Sequence, residues 1–208
     1  MFILGLTGSI GMGKSASAAR FRANGVPVFD ADLAVHDLYA AEAVAPIEKE
    51  FPGTTADGRV DREKLSKALL AAPEKFALLE SIVHPLVRAL EADFLEAAAA
   101  NAERLVVMEI PLLFETGFDK LVDAVVVVSA PPDIQAERVL ARPGMTPQKL
   151  EQLISRQMPD EEKRRRADFV VDTGGAITLT ESQVDKLVEL LRGQEAGKHG
   201  HAYARHWQ

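Results

Sequence analysis

The sequence contains no cysteine among its 208 residues. Disulfide bonds, thiolate catalysis and cysteine-ligated metal sites are therefore excluded. Positive charge is also scarce, because 31 acidic residues outnumber 24 lysines and arginines and give a formal net charge of −7. Wrapping a nucleic-acid backbone requires clustered positive charge, so we expect no nucleic-acid partner.

Long apolar segments are missing as well. The longest candidate, Leu121 to Pro131, has the length of a strand and carries Asp123, whereas a membrane-spanning helix needs roughly 20 apolar residues. The apolar segment Phe2 to Leu6 lacks the preceding basic region of a signal peptide. We therefore expect a cytoplasmic protein without a membrane partner. The sequence does not determine the oligomeric state, for which we favour a monomer.

Predicted strands and helices alternate along most of the chain, which is typical of an α/β fold with three layers, a central parallel sheet and helices on both faces. The β-branched runs among the strands suit parallel strands that are buried on both faces. The predicted strands are Phe2–Leu6, Val26–Phe29, Leu105–Ile110, Ala124–Ser129 and Phe169–Asp172.

Residues 46–102 break this alternation, because they contain helical segments and no clear strand. We predict that they form a helical insertion, in which His84-Pro85 interrupts a helical run since proline restricts the residue before it. The core then comprises residues 1–45 and 103–193. Residues 194–208 are polar and carry three histidines, and we expect a flexible tail without a metal site, since no rigid element sets the ligand spacing.

A glycine-rich segment, GSIGMGKS from Gly8 to Ser15, matches the phosphate-loop pattern GxxxxGK[ST] at every fixed position. Gly8 and Gly13 allow backbone torsions that let successive N–H groups converge on phosphate oxygens. Lys14 offers a charge to the β- and γ-phosphates, and the hydroxyl of Ser15 is a ligand for Mg²⁺. The predicted ATP site comprises Gly8, Ser9, Ile10, Gly11, Met12, Gly13, Lys14, Ser15 and Ala16.

Two carboxylates, Asp30 and Asp32, follow the second predicted strand. The carboxyl ends of parallel strands line the ligand crevice of an open sheet, where a carboxylate can accept a hydroxyl proton or hold Mg²⁺ through water. Capping of the following helix is the alternative role for either residue. Glu109, at the end of the third predicted strand, is a further candidate for a water-mediated Mg²⁺ contact.

A phosphate loop alone does not distinguish a kinase from a GTPase switch or a motor ATPase. The guanine-specificity motif Asn-Lys-x-Asp is absent from the sequence. We therefore predict a small-molecule kinase, with a regulatory P-loop NTPase as the more distant alternative.

Several segments together resemble the dephospho-CoA kinase family and occur in that family's order. They are LTGSIGMGKS from Leu6, FDAD from Phe29, VHPL from Val83 and PLLFE from Pro111. The resemblance continues through Glu137-Arg138, Arg142, Gln157 and ADFVV from Ala167, and it covers Met1 to about Arg192.

The resemblance implies ATP-dependent phosphorylation of the ribose 3′-hydroxyl of dephospho-CoA, which gives coenzyme A and ADP as the last step of coenzyme A synthesis. It also implies a nucleotide-binding core, a helical CoA domain at residues 46–102 and a mobile lid at about residues 142–166. ATP is the co-substrate and Mg²⁺ the metal. Another P-loop kinase, acting on a nucleotide, a nucleoside or shikimate, is the nearer alternative.

On the acceptor side, the resemblance makes Asp32 the catalytic acid/base and a substrate-binding residue, and it adds His84 and Leu112 to the substrate site. On the nucleotide side, it gives a catalytic role to Arg142, beside Lys14, and an ATP-binding role to Arg138.

Arg138 and Arg142 are predicted to share one helix face, which suits phosphate clamping, although a solvated face paired with nearby acids is the alternative. The chain departs from the family at Ser9, where a second glycine is frequent, and at Thr173, where asparagine is frequent.

Overall fold

The computed structural model describes residues 1–194, and residues 195–208, which carry the histidines of the predicted tail, lie outside the described residues. The described chain forms two compact units. One comprises Met1–Phe29 together with the residues from Ala97 onward, and the other comprises Asp30–Glu96.

The strands and helices of the described residues are numbered in chain order. The strands are β1 Phe2–Thr7, β2 Val28–Asp30, β3 Thr55–Ala56, β4 Arg59–Val60, β5 Leu105–Glu109, β6 Ala124–Ser129 and β7 Phe169–Asp172. The helices are α1 Lys14–Ala23, α2 Ala31–Leu38, α3 Val44–Glu50, α4 Arg62–Ala71, α5 Phe76–Ala100, α6 Pro132–Leu140, α7 Pro147–Ser155, α8 Asp160–Arg166 and α9 Ile177–Arg192.

Within residues 1–194, five strands form the main sheet in the order β2-β5-β1-β6-β7. Strand β1 pairs in parallel with β5 and β6, and β6 pairs in parallel with β7. Consecutive strands in such a sheet need crossover connections, which the helices supply. The predicted α/β fold with a central parallel sheet and flanking helices is therefore confirmed.

One face of this sheet is packed against α1 and α9. Leu4 and Leu6 of β1 share a buried core with Phe21 of α1 and with Leu187 and Leu191 of α9. Burial of each such side chain stabilises the fold by about 1.5–3 kcal/mol. This packing holds α1 against the sheet, and the loop residue Met12 belongs to the same buried core.

The unit Asp30–Glu96 has a core of its own. Leu38 of α2 is buried with Ile47 of α3, Leu65 of α4 and Val83 of α5. Helix α2 thus belongs to this unit, because its apolar face packs there, although the sequence analysis assigned residues up to 45 to the core. The assignment of residues 46–102 as a substrate domain stays a prediction.

A short hairpin corrects the expectation that residues 46–102 contain no strand. Strands β3 and β4 pair antiparallel, with Thr55 opposite Val60. The two residues between them, Asp57 and Gly58, both have positive φ, at 51° and 73°. Asp-Gly is a favoured pair for a tight two-residue hairpin turn, so a local signal was present in the segment that we predicted to lack strands.

The predicted interruption at His84-Pro85 is wrong, because α5 continues through Pro85 without a break. An internal proline costs a helix about 3 kcal/mol. Val83, Leu86 and Leu90 lie around it and pack into the core of the second unit. The burial of several such side chains outweighs the cost of the proline. The backbone of His84 is therefore helical and not extended.

Among the described residues, no helix has both the length and the apolar character that crossing a membrane would require.

A hydrogen-bonded ion pair links α1 to α9 and predicts a pH dependence of stability. Asp185 accepts hydrogen bonds from Arg20 Nε at 2.7 Å and Asn24 Nδ2 at 2.7 Å. These two donors, Arg20 first, hold the pKa of Asp185 at about 2 in the folded protein, below the ordinary value of 3.8. Because the folded-state pKa is lowered, the contribution to stability is present above about pH 4 and is lost as the pH falls towards 2.

We expect Asp185→Asn to flatten the decrease in unfolding free energy between pH 4 and pH 2, measured by urea denaturation at each pH. Glu189→Gln, an exposed carboxylate on the same helix, is the control and should leave the slope unchanged. Equal slopes for the wild type and Asp185→Asn would contradict the assignment.

Candidate active site

The phosphate-loop residues Gly8–Ser15 follow β1 and end in the first turn of α1, which is the strand–loop–helix context that the motif requires. A side chain at Gly8 would place its Cβ 2.4 Å from Val128 Cγ2. Gly11 and Gly13 have φ of +79° and +82°, and a Cβ on Gly11 would lie 2.5 Å from Val139 Cγ2. Gly11 stands at a variable position of the motif, yet the structure requires glycine there.

Helix α1 begins at Lys14 with an uncapped amino terminus. Its N-cap, Gly13, has no side chain to accept a hydrogen bond, and the first turn contains no acidic residue. The first N–H groups of a helix have no intrahelical acceptor, and they form the positive end of the helix dipole. This terminus is therefore suited to binding an anion.

The direction of the loop amides follows from contacts made by the loop carbonyls. Thr173 Oγ1, at the end of β7, donates to Met12 O at 2.8 Å. In a trans peptide the N–H points opposite to the carbonyl, so this bond turns the N–H of Gly13 away from Thr173. Arg138 Nη2 donates to Thr173 O at 2.6 Å and joins α6 to the same corner.

A buried ion pair lies beneath the loop. Lys14 Nζ donates to Glu109 Oε1 at 2.9 Å, and the Glu109 side chain is 2% exposed. Arg22 Nη2 lies 3.8 Å from the other oxygen, Oε2. Oε2 is buried without a hydrogen-bond partner in the described part of the chain. An oxygen of this kind can accept a hydrogen bond from a water or ligand that enters the site.

The phosphate-loop region offers oxygen atoms that suit Mg²⁺. Residues 1–194 contain no group of three or more histidine, aspartate or glutamate side chains that could hold a metal ion. The exposed Ser15 and the buried Glu109 carboxylate supply oxygen atoms, which Mg²⁺ prefers. Mg²⁺ is typically held by one or two protein oxygens together with substrate phosphates, and these residues fit that mode.

The structure separates the two arginines that were expected to share a helix face. Arg138 lies on α6 and contacts Thr173. Arg142 lies beyond the end of α6 at Leu140, before the glycine turn at Gly144, which has a φ of 72°. The Arg142 side chain is exposed and has no hydrogen-bond or ion-pair partner among residues 1–194. The prediction of one helical face for this pair is wrong.

The two aspartates after β2 have different roles in the local structure. Asp30 is the N-cap of α2, and its Oδ1 accepts a hydrogen bond from Leu33 N at 3.0 Å. Asp32 lies in the first turn of α2 and is exposed. One residue is enough to cap a helix, and Asp30 has that role in α2. Capping therefore does not account for Asp32.

The remaining predicted substrate residues are both exposed. His84 lies in the middle of α5, in the unit Asp30–Glu96, and Leu112, which is 40% exposed, follows β5. The structure thus brings Lys14, Glu109 and Arg138 to the phosphate-loop region of the first unit, while Asp32 and His84 belong to the second unit.

One contact of the loop was missed in the sequence analysis. Gln135 of α6 is buried and donates from Nε2 to Ile10 O at 2.8 Å. The two residues are 125 positions apart, and a glutamine within an amphipathic helix carries no signal of its own.

Comparison with known proteins identifies one family. The sequence model of dephospho-CoA kinase matches residues 2–178. A dephospho-CoA kinase of Rhodopseudomonas palustris is 52% identical over 189 residues, which cover 91% of this chain and 95% of that protein. A dephospho-CoA kinase of Rhizobium meliloti is 53% identical over 192 residues, which cover 92% and 99%.

Solved structures show the same fold. A crystal structure of a Thermus thermophilus protein aligns with a TM-score of 0.80 at 35% identity and covers 91% of this chain and 96% of that one. A dephospho-CoA kinase of Campylobacter jejuni aligns with a TM-score of 0.69 at 23% identity, with coverage of 92% and 98%. At that identity the second match supports the fold alone.

The Thr173 contact predicts a stability effect at the loop. Thr173→Val keeps the side-chain shape but removes the hydroxyl that donates to Met12 O. We expect the free energy of unfolding to fall by about 1–3 kcal/mol, since a buried carbonyl loses its donor. Urea denaturation measures this change.

Thr178→Val, an exposed threonine at the start of α9, is the matched control and should change stability by less than about 0.5 kcal/mol. The role assigned to Thr173 would be wrong if the two variants unfolded alike.

Proposed function

The chain belongs to the dephospho-CoA kinase family, and on this premise we propose that its phosphate loop binds ATP while Asp32 acts on the acceptor hydroxyl. The activity is ATP-dependent phosphorylation of the ribose 3′-hydroxyl of dephospho-CoA, which yields coenzyme A and ADP. The main support for this activity is the phosphate loop between β1 and the uncapped α1, in a chain that matches this family over residues 2–178. The relatives described above do not favour a nucleotide, a nucleoside or shikimate as the acceptor.

For the nucleotide, we propose that Gly8–Ala16 surround the triphosphate. Support comes from the glycines whose Cβ positions are blocked and from the first-turn amides of α1. Lys14 is half-buried beside Glu109, and we propose that its ammonium group neutralises charge on the β- and γ-phosphates. Stabilisation of charge on the transferring group is the main contribution that a protein makes to phosphoryl transfer.

For the acceptor, we propose that Asp32 orients or deprotonates the 3′-hydroxyl. Its exposed carboxylate has no hydrogen-bond or ion-pair partner among residues 1–194, while Asp30 already caps α2. A positioned carboxylate base contributes about 10²–10⁴-fold to a rate.

Further roles are proposed for side chains that are exposed and therefore accessible to substrates. They are substrate binding for His84 and Leu112 and a catalytic role for Arg142. We also propose a CoA domain at residues 46–102 and a lid at about residues 142–166. For Arg138 we propose ATP binding, and support comes from its contact with Thr173 beside the loop.

We also propose Mg²⁺ as the cofactor. When bound, Mg²⁺ neutralises phosphate charge and polarises the transferring group. Ser15 would hold the ion through its hydroxyl, and the free oxygen of Glu109 would accept a hydrogen bond from one of its waters.

A cytoplasmic location is proposed because ATP is the co-substrate. A monomer without a nucleic-acid partner is proposed as well, and the net charge of −7 supports the second part.

The deciding experiment is an ADP-release assay with dephospho-CoA, nucleotides, nucleosides and shikimate as acceptors. We expect dephospho-CoA alone to stimulate ADP release, and phosphorylation at the ribose 3′-hydroxyl to be detected by nuclear magnetic resonance. Release that no acceptor stimulates would instead favour a regulatory NTPase.

In this assay, Asp32→Asn should lower kcat by about 10²–10⁴-fold, because the amide cannot accept the hydroxyl proton. Asp37→Asn, on the same helix and also exposed, should keep the wild-type rate. Undiminished turnover of a folded Asp32→Asn variant would assign the acid/base role elsewhere.

Removal of the metal with EDTA should abolish ADP release, and Mg²⁺ should restore it. Ser15→Ala should raise the Mg²⁺ concentration for half-maximal activity by about tenfold, because a hydroxyl ligand is lost. Ser182→Ala, at an exposed position of α9, is the control. The same Mg²⁺ dependence in both variants would exclude Ser15 as a ligand.

A further inference from the structure

The peptide groups on either side of Ile10, at the outer end of the phosphate loop, are held by two glutamine side chains. Gln135 Nε2 donates to Ile10 O at 2.8 Å, and Ile10 N donates to Gln157 Oε1 at 3.1 Å. Because a trans peptide directs N–H and C=O oppositely, the bond to Ile10 O turns the N–H of Gly11 away from Gln135. The two glutamines together restrict rotation of both peptide planes.

Gln157 lies in the turn between α7 and α8, and its neighbour in sequence is fixed to a different part of the unit. Met158 N donates to Glu115 Oε1 at 2.8 Å. Lys163 Nζ lies 3.0 Å from the same oxygen, and the Lys163 side chain is fully buried. Loss of Glu115 would leave the Lys163 charge buried without its partner, which is costly, so this contact stabilises the turn in the position that it has in this structure.

The Glu115 carboxylate is charged in this arrangement. Partial burial acts to raise the pKa of Glu115, but the hydrogen bonds from Met158 N and Lys163 outweigh it and leave that pKa below its ordinary value of 4.5. Arg166 of the same helix, α8, binds Asp119 Oδ2 at 2.9 Å. The turn that carries Gln157 and the helix that follows it, α8, are thus both bound to the segment after β5.

We infer that Gln157 is a positioning residue for ATP: it holds the Ile10 amide so that the phosphate loop keeps its binding conformation before the nucleotide arrives. Glu115 and Lys163 fix Gln157 in turn. The inference rests on the proposed function of the loop. A loop that is already ordered loses less conformational entropy on binding, so the effect of Gln157 falls on ATP and not on the acceptor.

The test substitutes Gln157→Leu, which removes the acceptor of the Ile10 amide. We expect the KM for ATP to rise by roughly three- to tenfold, since a hydrogen bond of this type contributes about 0.5–1.5 kcal/mol. The KM for dephospho-CoA should stay at the wild-type value, and the melting temperature without ligand should fall by only a few degrees. Gln194→Leu, at an exposed position after α9 and outside the proposed lid, is the matched control and should leave both KM values unchanged.

A second variant, Gln157→Asn, keeps the polar side chain but is one methylene too short to reach Ile10. It should raise the KM for ATP to a similar extent. Agreement between the two variants would show that the effect does not come from misfolding of the leucine variant. Unchanged KM for ATP in both variants would overturn the inference. Equal increases in both KM values with a lower melting temperature would also overturn it, because the role would then be structural.

A binding measurement separates this inference from the proposed function. ATP should raise the melting temperature of the wild type more than that of Gln157→Leu at the same concentration. If the wild type releases no ADP with dephospho-CoA, the proposed acceptor is wrong, and the shift produced by ATP still decides the role of Gln157. Equal shifts in the two proteins would refute that role.

Discussion

A phosphate loop must keep its backbone amides directed to one side, although its glycines provide few side chains to hold it in place. In this chain the constraint is met from outside the loop. Thr173 binds the carbonyl of Met12, and Gln135 and Gln157 bind the peptide groups around Ile10. The direction of the anion-binding amides therefore depends on side chains supplied by later elements of the fold.

The charged groups of the site are likewise held in place by partners on other elements of the fold. Lys14 lies against the buried carboxylate of Glu109, with Arg22 near its second oxygen. A single buried carboxylate would be costly, and the two cations compensate for it. The ion pair also restricts the rotamers of the lysine side chain, so that the ammonium group is already beside the loop when a nucleotide binds.

Local patterns in the sequence predicted the sheet and the loop, because apolar β-branched runs and a fixed glycine spacing act over a few residues. The same reasoning failed at Pro85, where packing by Val83 and its neighbours outweighs a local preference. The hairpin turn at Asp57-Gly58 carried a signal that was not used. The contacts made by Gln135 and Thr173 join residues 125 and 161 positions apart, and no local pattern encodes them.

The packing of α9 against α1 and β1 has a consequence for biosynthesis. The loop and β1 are made before α9, whose side chains Leu187 and Leu191 belong to the same buried core as Leu4 and Leu6 of β1. Contacts so distant in sequence form slowly, and a nascent chain lacking them exposes its apolar strands. A nascent chain that lacks α9 would therefore leave the core around β1 and α1 incomplete, although every residue of the glycine motif has been translated.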